Sequence, residues 1–146
     1  MSANQACTAR FFDEVCNGRK LNVADQLFTT SHVHHDPANP RLSAGPAGIK
    51  ELVSQYHQAF PDANWSVQEM LEAGNNVICR WTGKGTHQGN LSGIPPTGKA
   101  VTVTGIWILR FENGKIAESW DSWDALGLLQ QIGVVPKLGQ GAAGAD

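Results

Sequence analysis

Apolar residues recur at two spacings along this chain. They lie three to four residues apart through the first sixty positions and two apart from about residue 64 to residue 123. The first spacing is that of a helix with one buried face, the second that of a half-buried strand. Ala6, Ala9, Phe12, Val15 and Cys16 mark a helix over residues 4–17, which Asn17-Gly18 stops. A short second helix is expected over 23–28. SHVHHDP then reads as a short strand ended by Pro37, and ANPRLSAGP as loop. Pro46 stands where a helix can begin, Ile49, Leu52, Val53, Tyr56 and Phe60 give it a buried stripe, and Pro61 ends it.

From residue 64 the pattern is that of strands. Residues 64–72 form one, and Gly74-Asn75-Asn76 a tight turn. NVICRWTGKGTH is a second and AVTVTGIWILRFE a long third, with the Gly/Pro loop QGNLSGIPPTGK between them. Asn113-Gly114 is a hairpin signal, KIAESWDSW the last strand, and DALGLLQQIG a closing helix in which Asp124 is the expected N-cap. Helices first and an antiparallel meander afterwards predict an α+β roll, a cone in which N-terminal helices close a curved sheet around an apolar cavity. Residues 1–135 form one domain in this reading, and 136–146 a mobile tail.

The totals remove several classes of function. The chain has 146 residues, 41% apolar and 16% charged, with a net charge of −2 and scattered basic residues. A nucleic-acid partner is not expected, because no basic patch exists to neutralise phosphates. No apolar run has the length of a membrane span, and Arg10, Asp13 and Glu14 interrupt any signal-like segment, so the expected location is the cytoplasm. Cys7, Cys16 and Cys79 lack metal or redox spacing and read as reduced, partly buried thiols.

RWTGKGTHQGNLSGIPPTGKAVTVTGIWILRFENGKIAESWDSWDALGLLQQIG resembles the SnoaL-like polyketide cyclases, or ester cyclases, of the nuclear-transport-factor-2-like superfamily. ARFFDEVCNG, HHDP and the helix over 49–60 followed by PD resemble the same family, so the likeness covers roughly residues 6–135. It implies an intramolecular aldol-type ring closure of a hydrophobic polyketide-like substrate, run without metal or cofactor by an aspartate general acid/base at the position of Asp121. It also implies a homodimer.

The residues can be weighed beside that likeness. On an extended strand Ala117, Ser119, Asp121 and Trp123 share one face, and Ile116, Glu118, Trp120 and Ser122 the other. Across the Asn113-Gly114 hairpin, Trp107 stands opposite Asp121, flanked by Gly105 and Leu109. A carboxylate in that company loses hydration, and its proton affinity rises toward what a general base needs. The structural alternative is an ion pair with Arg80 or Lys84.

The pocket wall is expected to include Trp81, Trp107, Trp123, Phe12 and Tyr56. His87 either reaches the cavity mouth or bonds the loop backbone. In HVHHD, Val33 marks the inner face. His35 shares that face and either assists proton transfer or tethers the HDP turn, while His32, His34 and Asp36 face the other way. The run differs from the H-x-H-x-D-H metal motif, and no metal is expected. Two apolar sheet faces, one with Trp120 and Ile116 and one with Trp107 and Trp123, exceed what the helices can cover, which again predicts a homodimer. The alternatives to cyclisation are another acid/base reaction in the same cone (epoxide hydrolysis, isomerisation or dehydration) or a non-catalytic binding module.

Overall fold

A computed structural model describes residues 1–137 and Gly139. The expected tail from residue 136 onward therefore falls almost entirely outside the described residues. The elements are α1 (Ala3–Arg10), a π-helical segment (Phe11–Asn17), a 3-10 turn (Leu21–Val23), α2 (Ala24–Leu27), β1 (Phe28–His35), α3 (Pro46–Ala59), β2 (Asn64–Ala73), β3 (Asn76–Thr86), β4 (Ala100–Glu112), β5 (Lys115–Trp123) and α4 (Ala125–Gln131). The strands form one open sheet in the order β1-β5-β4-β3-β2. All neighbours are antiparallel except β1, which runs parallel to β5. The helices lie against one face, so the α+β roll with a covered, curved sheet is the observed architecture.

The local reasons are legible in the chain. Ser2 caps α1, and the Gln5 side chain bonds back to the Ser2 N–H, closing a capping box. Asn113 and Gly114 both hold positive φ (50° and 79°), the backbone a two-residue turn between right-twisted strands requires. Asp124 accepts the Gly127 N–H at 2.8 Å and starts α4.

Two features depart from expectation. The first helix is not α-helical to its end. Over Phe11–Asn17 its bonds widen by one residue, as in Gly18 N–H to the Asp13 carbonyl at 2.9 Å. The wider turn buries Phe11, Phe12, Val15 and Cys16 together. It also leaves Asn17 level with β2, where its amide exchanges two 2.8 Å bonds with the Trp65 backbone. The second departure is a register shift between Arg110 and Phe111 that leaves Ala117 without a partner. Ile116 consequently pairs with Phe111 and is fully buried in the core, not on the outer face with Trp120.

Gly105 sits at the most crowded point of the sheet. It pairs with Trp81 on one side and Trp123 on the other. A Cβ there would lie 2.5 Å from Trp81 Cζ2 and 2.7 Å from Trp123 Cβ. Gly105→Ala should therefore displace both indoles and lower stability by about 1–3 kcal/mol, the usual cost of overpacking. Denaturant unfolding checks this, and an unchanged midpoint would show that the indoles yield freely.

Candidate active site

The covered face of the sheet and the helices enclose an apolar cavity. Phe12 comes from the π-helical segment, Tyr56 from α3, Trp81 from β3, Trp107 from β4 and Trp123 from β5. Phe60, just after α3, also belongs to this aromatic wall, as do Phe11 and Trp65, which sequence reasoning did not single out. Two carboxylates interrupt it, Asp36 and Asp121.

Asp121 pairs with Trp107 across the hairpin and is 6% exposed. Its Oδ1 accepts the Trp81 Nε1–H at 3.3 Å, and the Trp107 indole also donates to it. Among the described residues it has no cationic partner. Arg80 lies on the outer face, 3.4 Å from Glu69, so the structural alternative of an Arg80 pair does not hold. Burial and then the charge of Asp36 push the Asp121 carboxyl up to about 8, and the two indole donors only partly offset this.

Asp36 follows β1 and is buried at 4% exposure. It accepts the Ala38 N–H at 2.9 Å, the Asn39 amide at 2.8 Å and the Trp123 Nε1–H at 3.2 Å to each oxygen. Asn39 also donates to the Tyr56 hydroxyl at 3.0 Å and accepts from Gln55 at 3.1 Å, tying this carboxylate to α3. One carboxylate is held by backbone, amide and indole donors, while the other, as deeply buried beside it, receives indole donors. Environments that differ in this way separate the roles of two like groups.

The orientation of β1 is the reverse of the sequence expectation. His32, His34 and Asp36 face inward, and Val33 and His35 face out. His35 is exposed. It bonds Glu118 at 2.7 Å and stacks on Trp120 outside the cavity, so it is not positioned to act on a ligand there. His34 instead stacks on Trp107 with centroids 4.4 Å apart. Val33 misled because the outer face of this sheet is itself apolar: Ile106, Ile108 and Trp120 lie there, all at least 36% exposed. The polar face-mate Ser119, which bonds both His32 and His34 at 2.8 Å, was the available signal for the true orientation.

His87 is fully buried beneath the Gly/Pro loop. Its Nδ1 accepts the Thr97 N–H at 3.2 Å and bonds the Thr97 hydroxyl at 3.0 Å. It touches Phe60, a cavity residue, but does not itself line the cavity, so of its two readings the loop anchor is the observed one. The three cysteines are free thiols.

A ring nitrogen of His34 and carboxylate oxygens of Asp36 and Asp121 lie within 4.8 Å of one another, the one group in the described part of the chain with a metal-like set of donors. Both Asp36 oxygens already accept indole and amide donors. A cation would have to displace those bonds, so the donor set fits proton handling better than coordination.

The shift of Asp121 has a signed consequence for stability. Its folded-state proton affinity is raised, so folding binds a proton between the ordinary carboxylate range near pH 4 and about pH 8. Stability falls across that window as the unfolded chain ionises, and the loss is complete above it. Asp121→Asn removes the penalty. The variant should gain on the parent progressively from pH 4 to 8, then level off. Each tenfold change in proton affinity is worth about 1.4 kcal/mol, so the gain is on the order of a few kcal/mol. Unfolding curves of both proteins from pH 4 to 9 test this, and a pH-independent difference would contradict it.

Comparison with known proteins agrees with this architecture. A model of the SnoaL-like polyketide cyclase family matches residues 6–132. Aklanonic acid methyl ester cyclase DnrD of Streptomyces peucetius is 34% identical over 96 residues, 65% of this chain and 66% of that protein. Nogalonic acid methyl ester cyclase of Streptomyces nogalater is 29% identical over 108 residues, 70% of this chain and 81% of the relative. The structure of TsrD from Streptomyces laurentii superposes with a TM-score of 0.82 at 25% identity, covering 91% of this chain and 96% of that one. With its helices closing a five-stranded sheet over a tryptophan-lined cavity, the chain belongs to the SnoaL-like polyketide cyclase family.

Proposed function

We propose that the protein is a cofactor-independent cyclase that closes a ring in a hydrophobic, polyketide-like ester by an intramolecular aldol reaction, with Asp121 as general acid/base. The observation that supports this best is the carboxyl of Asp121, buried among indoles in an apolar cavity and shifted to about 8. A carboxylate of that proton affinity can take a proton from an acidic C–H at neutral pH and return it later in the same turnover.

The chemistry balances without an added group. Ionised Asp121 removes a proton from carbon flanked by carbonyls. The resulting enolate is delocalised within the substrate and attacks a second carbonyl of the same molecule. A carbon–carbon bond forms, the carbonyl π pair moves to oxygen, and that oxygen takes up the proton held on Asp121, which is left ionised for the next turnover. The aromatic wall contributes mainly by holding a flexible chain in one reactive fold, an effect that can reach several kcal/mol. The methyl ester cyclases among the relatives suggest a substrate of the aromatic polyketide ester class.

A hydrolytic reading is favoured by one observation. The polar groups beside Asp121 are more numerous than the strand pattern suggests, since His34, Asp36, Asn39 and Tyr56 converge there and such a set can hold a water. Labelled oxygen entering product from solvent water would select that reading, whereas ring closure leaves the label out.

The outer face of the sheet supports self-association. Ile108 pairs directly with Trp120, Ile106 lies beside them, and the rim carries the ion pairs of Glu118 with His35 and Arg110. An exposed apolar stripe with a charged rim suits a second copy of the chain.

Two expected outcomes follow. Asp121→Asn keeps nearly the same shape but cannot accept a proton, so turnover of an aromatic polyketide ester should fall about 100-fold or more while ligand binding is retained; preserved turnover would end the assignment. In sedimentation, the parent should run at twice the 15.7 kDa chain mass, and Ile108→Lys should shift it toward 15.7 kDa. A parent that sediments as a single chain at micromolar concentration would contradict the interface.

A further inference from the structure

The hydrogen bonds of Asn39 decide what the phenol of Tyr56 does with its proton. Both Asp36 oxygens accept N–H donors: Ala38 at 2.9 Å, and the Trp123 indole at 3.2 Å to each oxygen. The Asn39 atom 2.8 Å from Asp36 Oδ2 is therefore the amide nitrogen, because an amide oxygen has no proton to offer a carboxylate. The same nitrogen lies 3.0 Å from the Tyr56 hydroxyl. One of its hydrogens goes to Asp36 and the other to the phenol oxygen, while the amide oxygen accepts from Gln55 at 3.1 Å. Tyr56 is thus an acceptor toward Asn39, and its own proton points elsewhere. Among the described residues nothing accepts that proton.

The phenol stands at the acidic end of the cavity. Its oxygen and Asp36 Oδ2 flank one nitrogen, and carboxylate oxygens of Asp36 and Asp121 lie within 4.8 Å of each other. The Tyr56 ring lines the cavity and meets Trp123 edge-on, with centroids 5.7 Å apart and planes at 90°. Trp123 follows Asp121 by two residues on the inner face of β5. Burial pushes the phenol up to about 12, so Tyr56 keeps its proton at neutral pH. Nearby indole donors are already committed, Trp81 to Asp121 and Trp123 to Asp36.

We propose that Tyr56 is a catalytic hydrogen-bond donor that holds the oxygen of the ketone attacked by the enolate, with Asn39 as the positioning residue that turns its O–H toward the cavity. The attack makes that oxygen an alkoxide in a water-poor site, where a donor placed in advance is worth far more than in water. The Tyr56 proton stays on the phenol. The alkoxide is protonated by Asp121, so no proton is left over. The N–H of Asn39 on the phenol oxygen polarises the O–H and strengthens it as a donor. Together the two groups set a condition on the substrate: its acidic C–H must reach Asp121 while a ketone oxygen reaches Tyr56. The inference rests on the reading of Asp121 as the base and adds the group that meets the developing charge.

Tyr56→Phe tests it, because the ring and its contact with Trp123 are kept and only the hydroxyl is lost. In turnover of an aromatic polyketide ester, kcat should fall about 100-fold with little change in KM, since the bond strengthens as charge develops. A second readout needs no turnover. It is the infrared carbonyl stretch of bound acetylnaphthalene, isotopically labelled at its carbonyl, an aromatic ketone with one carbonyl that cannot close a ring. At about pH 10 Asp121 is ionised and cannot donate, while Tyr56 still holds its proton. The expected stretch in the parent lies below that of the ketone in hexane and returns to the hexane value in Tyr56→Phe. The parent spectrum tests the donor even if the variant does not fold. An unshifted stretch in the parent would overturn the proposal, as would the same shift or an unchanged kcat in the folded variant. Retained turnover in Asp121→Asn would instead remove the base assignment and leave the carbonyl shift standing, so the two failures are distinguishable.

Discussion

The site depends on one cross-strand pair, Trp107 opposite Asp121 in the hairpin of β4 and β5. The pleat puts both side chains on the covered face, and the helices then exclude water from them. Everything distinctive about Asp121 follows from that placement. It has indole donors but, among the described residues, no cation, and a second carboxylate stands beside it. A single register slip would turn Asp121 outward, where it would be an ordinary surface carboxylate. The Asn113-Gly114 turn and the bulge at Ala117 are therefore part of the site's construction, although neither lies in the cavity.

The cavity is also asymmetric in how it treats its two acids. Asp36 is enclosed by backbone, amide and indole donors, whereas among the described residues Asp121 receives only indoles. Trp123 and Trp81 serve both the wall and the acids, because each indole offers a large apolar surface and one donor. The sequence WDSW, residues 120–123, sets aspartate between two tryptophans that face opposite ways. Trp123 shares the inner face with Asp121 and bonds its neighbour Asp36, while Trp120 points the other way onto the exposed stripe.

Much of this was legible from residue order. The helix and strand sequence, the hairpin, the Asp124 cap and the inward face of Asp121 all follow from spacing and turn chemistry. What escaped was set by tertiary context. The inner face of β1 could not be read from Val33, because the sheet is apolar on both sides and hydrophobicity does not distinguish them. Hence His35 was expected within and His34 without, the reverse of what the structure shows. Ile116 misled for a different reason: a bulge breaks the alternation that strict strand periodicity assumes. The π-helical widening at Phe11–Asn17 has no spacing signature of its own, yet it brings Phe11 and Phe12 together at the cavity.

The central claim is that folding makes Asp121 a base poised near neutrality. The most direct measurement is a titration of its carboxyl carbon by NMR in the folded parent protein, with the signal assigned by its loss in Asp121→Asn. This account predicts a midpoint near 8, at which roughly half the molecules hold a proton on Asp121. A midpoint in the ordinary carboxylate range near pH 4 would show that the carboxylate is well solvated or paired in the folded state, and would contradict the account.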